Sequence, residues 1–315
     1  MRLVYTLILM VMLTAPDTTA QTAPIWSVLP QLPGDKGWAG MYAGVSHDAL
    51  LAMGGANFPE KYPWEGGQKK WYNDIYVLEK GKKWIKANEK LALPAGYGVS
   101  VSYQNQVILI GGSNENGHLD QVRAVEWTGA RILERTLPSL PFPLANMGGM
   151  MLGNVIVIFG GNSSSTEPAL KKCLGLDMQN LTAGWFELEA WPGPERIFPV
   201  SSMYQNQGYM FGGETVALNS KGEKFRSILL DGYRLSLQKQ SDIWSSTWEI
   251  LAPMPRGMSA GGNLLPVLHN DRFLLWGGVD AVTAQFKAPA KHPGIIKSML
   301  YYFPETDTWE YIGEQ

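Results

Sequence analysis

Cysteine is nearly missing from this chain. Cys173 is the only one in 315 residues, so no intrachain disulfide is possible and the fold must rest on packing. Histidine is scarce too. His47, His118, His269 and His292 stand far apart, none at metal-ligand spacing, which predicts turn or loop roles and no metal site. Charge is thin: 26 basic and 28 acidic residues give a net charge of -2. No basic field is available for nucleic acid or an anionic membrane. Nucleophile elbows and phosphate loops are also lacking. GGSNENG from Gly111 is glycine-rich, but it joins two strands rather than a strand and a helix. No cofactor is expected.

Long apolar runs are absent beyond the first residues. LVYTLILMVML, ending at Leu13, is too short to span a bilayer. Arg2 precedes it, and small or polar residues from Ala15 to Ala20 follow. This reads as a secretory signal over 1–20, with the mature domain over 21–315; an uncleaved anchor is the competing reading. The expected protein is exported, periplasmic in a Gram-negative cell, and free of the membrane after cleavage.

Glycine (35), proline (20), tyrosine (13) and tryptophan (12) are plentiful, as turn-rich β structure with aromatic packing requires. A glycine pair behind an apolar run recurs: LLAMGG ending at Gly55, VILIGG at Gly112, VIVIFGG at Gly161, GYMFGG at Gly213 and FLLWGG at Gly278. The interval is close to the roughly 50-residue period of kelch propeller blades. Trp84, Trp185, Trp248 and Trp309 follow four of the pairs, with Tyr76, Tyr233 and Tyr301 in preceding strands. The fold class predicted is all-β, a kelch-type propeller of five complete four-stranded blades. They cover about 41–88, 97–137, 147–189, 200–251 and 260–313, the second lacking its closing tryptophan. Trp26 sits where a blade-closing tryptophan belongs, yet no pair precedes it. Residues 25–29 are therefore expected as an orphan strand of an incomplete sixth blade, about 45 residues of which are missing.

Each pair ends strand b beside the channel and opens a b–c loop. These loops, with the d–a loops between blades, line one mouth, where a ligand is expected. The b–c insertions 56–71, 214–227 and 279–297 are long. Asn57, Asn162 and Glu214 follow glycine pairs closely, and Arg196 and Arg256 lie in d–a loops. An arginine there can grip a carboxylate with two prongs, or tie loop carbonyls together. Glu214 is a candidate proton carrier, or a turn residue.

GWAGMYAGVSHDALLAMGGANF from Gly37, KKWYNDIYVLEKGKKW from Lys69 and AGYGVSVSYQNQVILIGGSNENG from Ala95 resemble the N-acetylneuraminate mutarotases, also called epimerases. WPGPERIFPVSS, YMFGGE and MSAGGNLLPVLHNDRFLLWGGVD agree. The order along the chain resembles the cyclically permuted branch of these exported six-bladed propellers. The resemblance implies a small sugar acid as partner and interconversion of its anomers by acid–base chemistry. It also implies a catalytic glutamate and a nearby arginine in an N-G-E-x-K-P-G-x-R-T stretch. That stretch is not found here, and Arg226 follows Glu214 at a different spacing. The chain thus reads as a mutarotase-like protein lacking its catalytic blade. The alternatives are a non-catalytic propeller that binds carbohydrate or protein, and a copper-radical oxidase, for which Cys173 and the scattered histidines make a poor ligand set. Oligomeric state is not legible.

Overall fold

The computed structural model describes residues 24, 26–34, 36–218, 224–261, 264–269, 271–286, 288 and 291–314. The expected signal segment and Ile25 lie outside them.

Five antiparallel meanders are arranged as a propeller, each with strand order a-b-c-d. Blade 1 is Tyr42–Ser46, Ala49–Met53, Asp74–Leu78 and Ile85–Lys90; blade 2 is Val99–Tyr103, Gln106–Ile110, Val122–Trp127 and Ile132–Leu137. Blade 3 is Ala145–Leu152, Val155–Asn162, Cys173–Asp177 and Trp185–Leu188; blade 4 is Val200–Tyr204, Gln207–Phe211, Gly232–Gln240 and Ile243–Leu251. Blade 5 is Val267–Leu268, Arg272–Leu275, Ser298–Phe303 and Thr308–Glu314. Several a–b turns are tight two-residue hairpins with both residues left-handed, as at His47–Asp48, Gln104–Asn105 and Gln205–Asn206.

Strands b and c are apolar on both faces because each sheet is sandwiched between two neighbours. Large apolar clusters fill the spaces between consecutive blades. A smaller one, around Leu274, Met299 and Tyr301, lies in blade 5. Short two-stranded ribbons grow from three of the glycine pairs: Ala56–Asn57 with Lys70–Trp71, Ser113–Asn114 with Gly117–His118, and Glu214–Leu218 with Lys224–Ile228.

Two backbone bonds repeat at each blade junction. The second glycine of a pair donates to the loop entering the next blade: Gly55 to Ala95, Gly112 to Leu144, Gly161 to Arg196 and Gly213 to Met258, at 2.7–2.9 Å. Two residues further on, an inner girdle forms. Tyr97 N donates to Gly40 O, Asn146 N to Tyr97 O, Phe198 N to Asn146 O and Ala260 N to Phe198 O. All five girdle residues are left-handed, with φ from 53° to 65°. Glycine is required beside these bonds. A Cβ on Gly54, Gly111, Gly160 or Gly212 would lie 2.3–2.5 Å from the carbonyl of that same loop. At Gly277 the nearest atom is a side-chain carbon of Ile295, at 3.3 Å. Among the described residues, neither bond joins blade 5 to blade 1.

Residues 26–30 lie at that junction, although not as a paired strand. The Trp26 ring meets Trp276 of blade 5 edge-on at 5.9 Å, and Trp84 Nε1 of blade 1 donates to Pro30 O at 2.8 Å. The second contact follows the repeat. Trp185, Trp248 and Trp309 donate to Pro138, Glu189 and Ala252 in the preceding blade. Glu189, Ala252 and Pro30 each stand four residues after a tryptophan: Trp185, Trp248 and Trp26. Trp26 is thus in register with a strand d. Blade 2 carries Glu134 at this position, and the bond is reversed there: Ala92 N donates to the Glu134 carboxylate at 3.2 Å.

Candidate functional site

The loops that the glycine pairs open converge on one mouth of the channel. A cavity of about 430 Å³ lies there, walled by blades 1 to 3. Its sides come from b–c loops (Lys69, Trp71, Ser113, His118) and from the girdle (Tyr97, Asn146, Phe198). A second cleft of about 740 Å³ adjoins it, sharing Lys69, Trp71 and Glu115.

Three features give the mouth its chemistry. The first is an aromatic corner. Trp71 and Tyr97 meet edge-to-face at 5.7 Å, and Lys69 Nζ lies 4.4 Å and 4.0 Å from their ring centroids. The second is a polar chain across blades 2 and 3. His118 Nδ1 is 2.8 Å from Ser113 Oγ, its Nε2 is 3.2 Å from Asn162 Oδ1, and Asn146 Nδ2 donates to that same oxygen at 2.8 Å. With the serine as donor, Nε2 carries the imidazole proton. Burial pushes the His118 pKa below its ordinary value, against the Asn162 hydrogen bond.

The third is an ion pair in the blade 4 ribbon, outside the cavity lining. Arg226 Nε and Nη2 donate to the two Glu214 oxygens at 2.9 Å and 2.6 Å. Ser259 Oγ donates to Glu214 Oε2 at 3.1 Å. Glu214 is 1% exposed and the Arg226 side chain 43%. Glu214 pairs through its backbone with Ile197, next to Phe198 of the cavity. Ribbon geometry explains the pair. Glu214 stands opposite Ile228, so Arg226, two residues from Ile228, is its diagonal neighbour on the same face.

The residues singled out in sequence separate. Asn162 is buried beside the cavity and holds the polar chain. Asn57 accepts from Tyr72 and donates to Gly37 O, bracing the first ribbon. Arg196 lies away from the cavity lining. It is 0% exposed, forks onto both Asp231 oxygens, and bonds Gly212 O and Pro194 O. It ties blade 3 to blade 4. Arg256 donates to Gly257 O and Ser298 O. Both arginines thus take the loop-tying alternative. Lys69, Tyr97 and His118 were not foreseen as site residues, and Arg226 had been set aside on its spacing. The signal for Lys69 was its place two residues before Trp71 in the KKWY block; nothing local marks His118.

Residues 15–133 match the family model for N-acetylneuraminate epimerase. The N-acetylneuraminate epimerase of Haemophilus influenzae (strain 86-028NP) is 39% identical over 122 residues, 34% of this chain and 32% of that protein. That of Salmonella enteritidis PT4 (strain P125109) is 45% identical over 103 residues, 29% of this chain and 26% of that protein. The chain thus spans about a third or less of the length of the curated relatives it matches. A solved structure titled "Structure of YjhT" shares the fold with TM-score 0.70 at 13% identity, covering 94% of this chain and 90% of that one. The matched segment contains Lys69, Trp71, Tyr97 and His118. The chain is thus a β-propeller whose residues 15–133 are similar to the N-acetylneuraminate epimerases.

Proposed function

We propose that this protein binds N-acetylneuraminate at the channel mouth and interconverts its anomers, with Glu214 and Arg226 as the reacting pair. The observation that carries the reading is the source of the mouth cavity. The family-matched segment supplies Lys69, Trp71, Tyr97, Ser113 and His118 to its walls. The Glu214–Arg226 pair supports it as a glutamate with a nearby arginine, in a different stretch and at a different spacing from the one the resemblance implies.

The chemistry is a proton relay. A base takes the anomeric hydroxyl proton while the ring C–O bond breaks, and the ring oxygen gains a proton from water. Reclosure on the opposite face of the carbonyl reverses both transfers. Glu214 is the base in this scheme. Arg226 stays protonated, orients the carboxylate and is partly exposed to solvent. Saturation-transfer NMR of anomer exchange tests it. Glu214→Gln is expected to lower the enzymatic rate by roughly 10²- to 10⁴-fold, and Arg226→Met to lower it as well. Equal exchange by wild type and Glu214→Gln would remove Glu214 from the reaction.

A second reading is favoured by the burial of Glu214, whose oxygens are both occupied. The mouth would then bind a sugar without turning it over. Sugar binding by wild type with no acceleration of exchange would establish it. We also read the junction of blades 5 and 1 as the place of a sixth repeat, with the segment around Trp26 in the position of its strand d. Export to the periplasm remains part of this proposal, tested by fractionating cells that express the full chain.

A further inference from the structure

We propose that Lys69 is the carboxylate anchor of the mouth cavity, and that the cavity is built for a pyranose bearing one carboxylate. The inference rests on the sugar-acid reading above and names the residue that reads the acid. Arginine would be the expected anchor, yet among the described residues none lines either space, and the loop arginines are committed elsewhere. Arg196 is closed onto Asp231, Arg226 onto Glu214, and Arg256 onto loop carbonyls. Lys69 differs. Among the described residues no carboxylate lies within ion-pairing distance of its ammonium, which is held against two aromatic rings.

That placement suits a ligand carboxylate. Contact with the Trp71 and Tyr97 faces confines a flexible side chain to the cavity wall, so less freedom is lost on binding. Around the two connected spaces Lys61, Lys69 and Lys70 outnumber Glu60 and Glu115, which favours an anion. The remaining surfaces fit a sugar. Trp71, Tyr97 and Phe198 offer apolar faces to ring C–H groups, and Asn146 offers an amide for hydroxyls. The volume of about 430 Å³ falls within the range of small-molecule pockets, roughly 300–1,000 Å³. A lone lysine also suits phosphate, so phosphate is one arm of the test.

The experiment is calorimetric titration of the full chain and of Lys69→Met and Lys69→Arg with N-acetylneuraminate, its uncharged methyl ester, and inorganic phosphate. Thermal melts confirm folding of each variant. Wild type is expected to prefer the acid to the ester. Lys69→Met should weaken the acid by about 10- to 100-fold, the range of a charged hydrogen bond, and leave the ester unchanged. Lys69→Arg should retain most of the preference. Wild-type preference for the acid that survives Lys69→Met would overturn the proposal while leaving the sugar-acid reading intact. Equal binding of acid and ester would overturn it too. Phosphate binding lost in Lys69→Met, with no sugar bound by wild type, would overturn both.

Discussion

An arginine buried inside this propeller and a histidine half-buried at its mouth, both in loops by sequence, are held for different reasons. A buried guanidinium is costly unless it is paired and bonded. Asp231 and two backbone carbonyls meet that requirement at Arg196, between the Trp191 and Tyr233 rings at 5.3 Å. His118 is tolerated as the neutral imidazole that joins Ser113 to Asn162. Its pKa lies below the ordinary 6.5. The folded chain therefore binds this proton less readily than the unfolded chain. The stability it contributes is whole above about pH 6.5 and is lost as pH falls through the depressed folded value. Urea titrations of wild type and His118→Gln should show the difference in unfolding free energy shrinking from about pH 7.5 to about pH 5. A constant difference would mean that His118 titrates alike in both states.

At the scale of the element, the glycine pair has a steric role that changes at the fifth copy. Gly160 and Gly277 are both left-handed, with φ of 68° and 73°. Alanine at either position incurs the strain of that region, roughly 1–2 kcal/mol. A Cβ at Gly160 would also strike Arg196 O at 2.5 Å, whereas at Gly277 it meets a movable side chain at 3.3 Å. Gly160→Ala should therefore destabilise by about 2 kcal/mol more than Gly277→Ala in denaturant melts, in line with other backbone-clash substitutions. Equal losses would show that blade 5 is as closely abutted as blade 3. The ribbons act at this scale too. Pairing across the Glu214–Leu218 and Lys224–Ile228 ribbon makes neighbours of two residues whose sequence spacing had argued against it.

For the whole molecule, the junction between blades 5 and 1 decides how the ring is held. Gly55 and Tyr97 have girdle or loop bonds; their counterparts Gly278 and Gly40 have no such donor bond among the described residues. Trp26, Val28 and Leu29 are 49%, 99% and 57% exposed there. Native-state hydrogen exchange should therefore show the Gly40 and Gly278 amides exchanging far faster than those of Gly55, Tyr97 and Gly213. Equal protection would mean that the ring closes in solution.

Sequence alone determined the repeat. Apolar runs ended by glycine pairs marked five meanders, and the Trp26 register assigned 25–29 to a further blade; residues 26–30 do lie at the junction of blades 5 and 1, though not as a strand. Local steric need drives these features: a left-handed corner beside a neighbour's carbonyl admits only glycine, and that need is visible residue by residue. Residues 15–133 likewise carried the family resemblance. Only the tertiary structure decided which polar groups meet. Arg196 and Arg256 had the right chemistry and loop positions, but side-chain direction turned them to carbonyls and Asp231. Lys69, His118 and Asn162 come from different blades and ribbons. Their meeting is set by how curved sheets bring distant loops to one mouth, and no spacing within a single chain segment encodes that convergence.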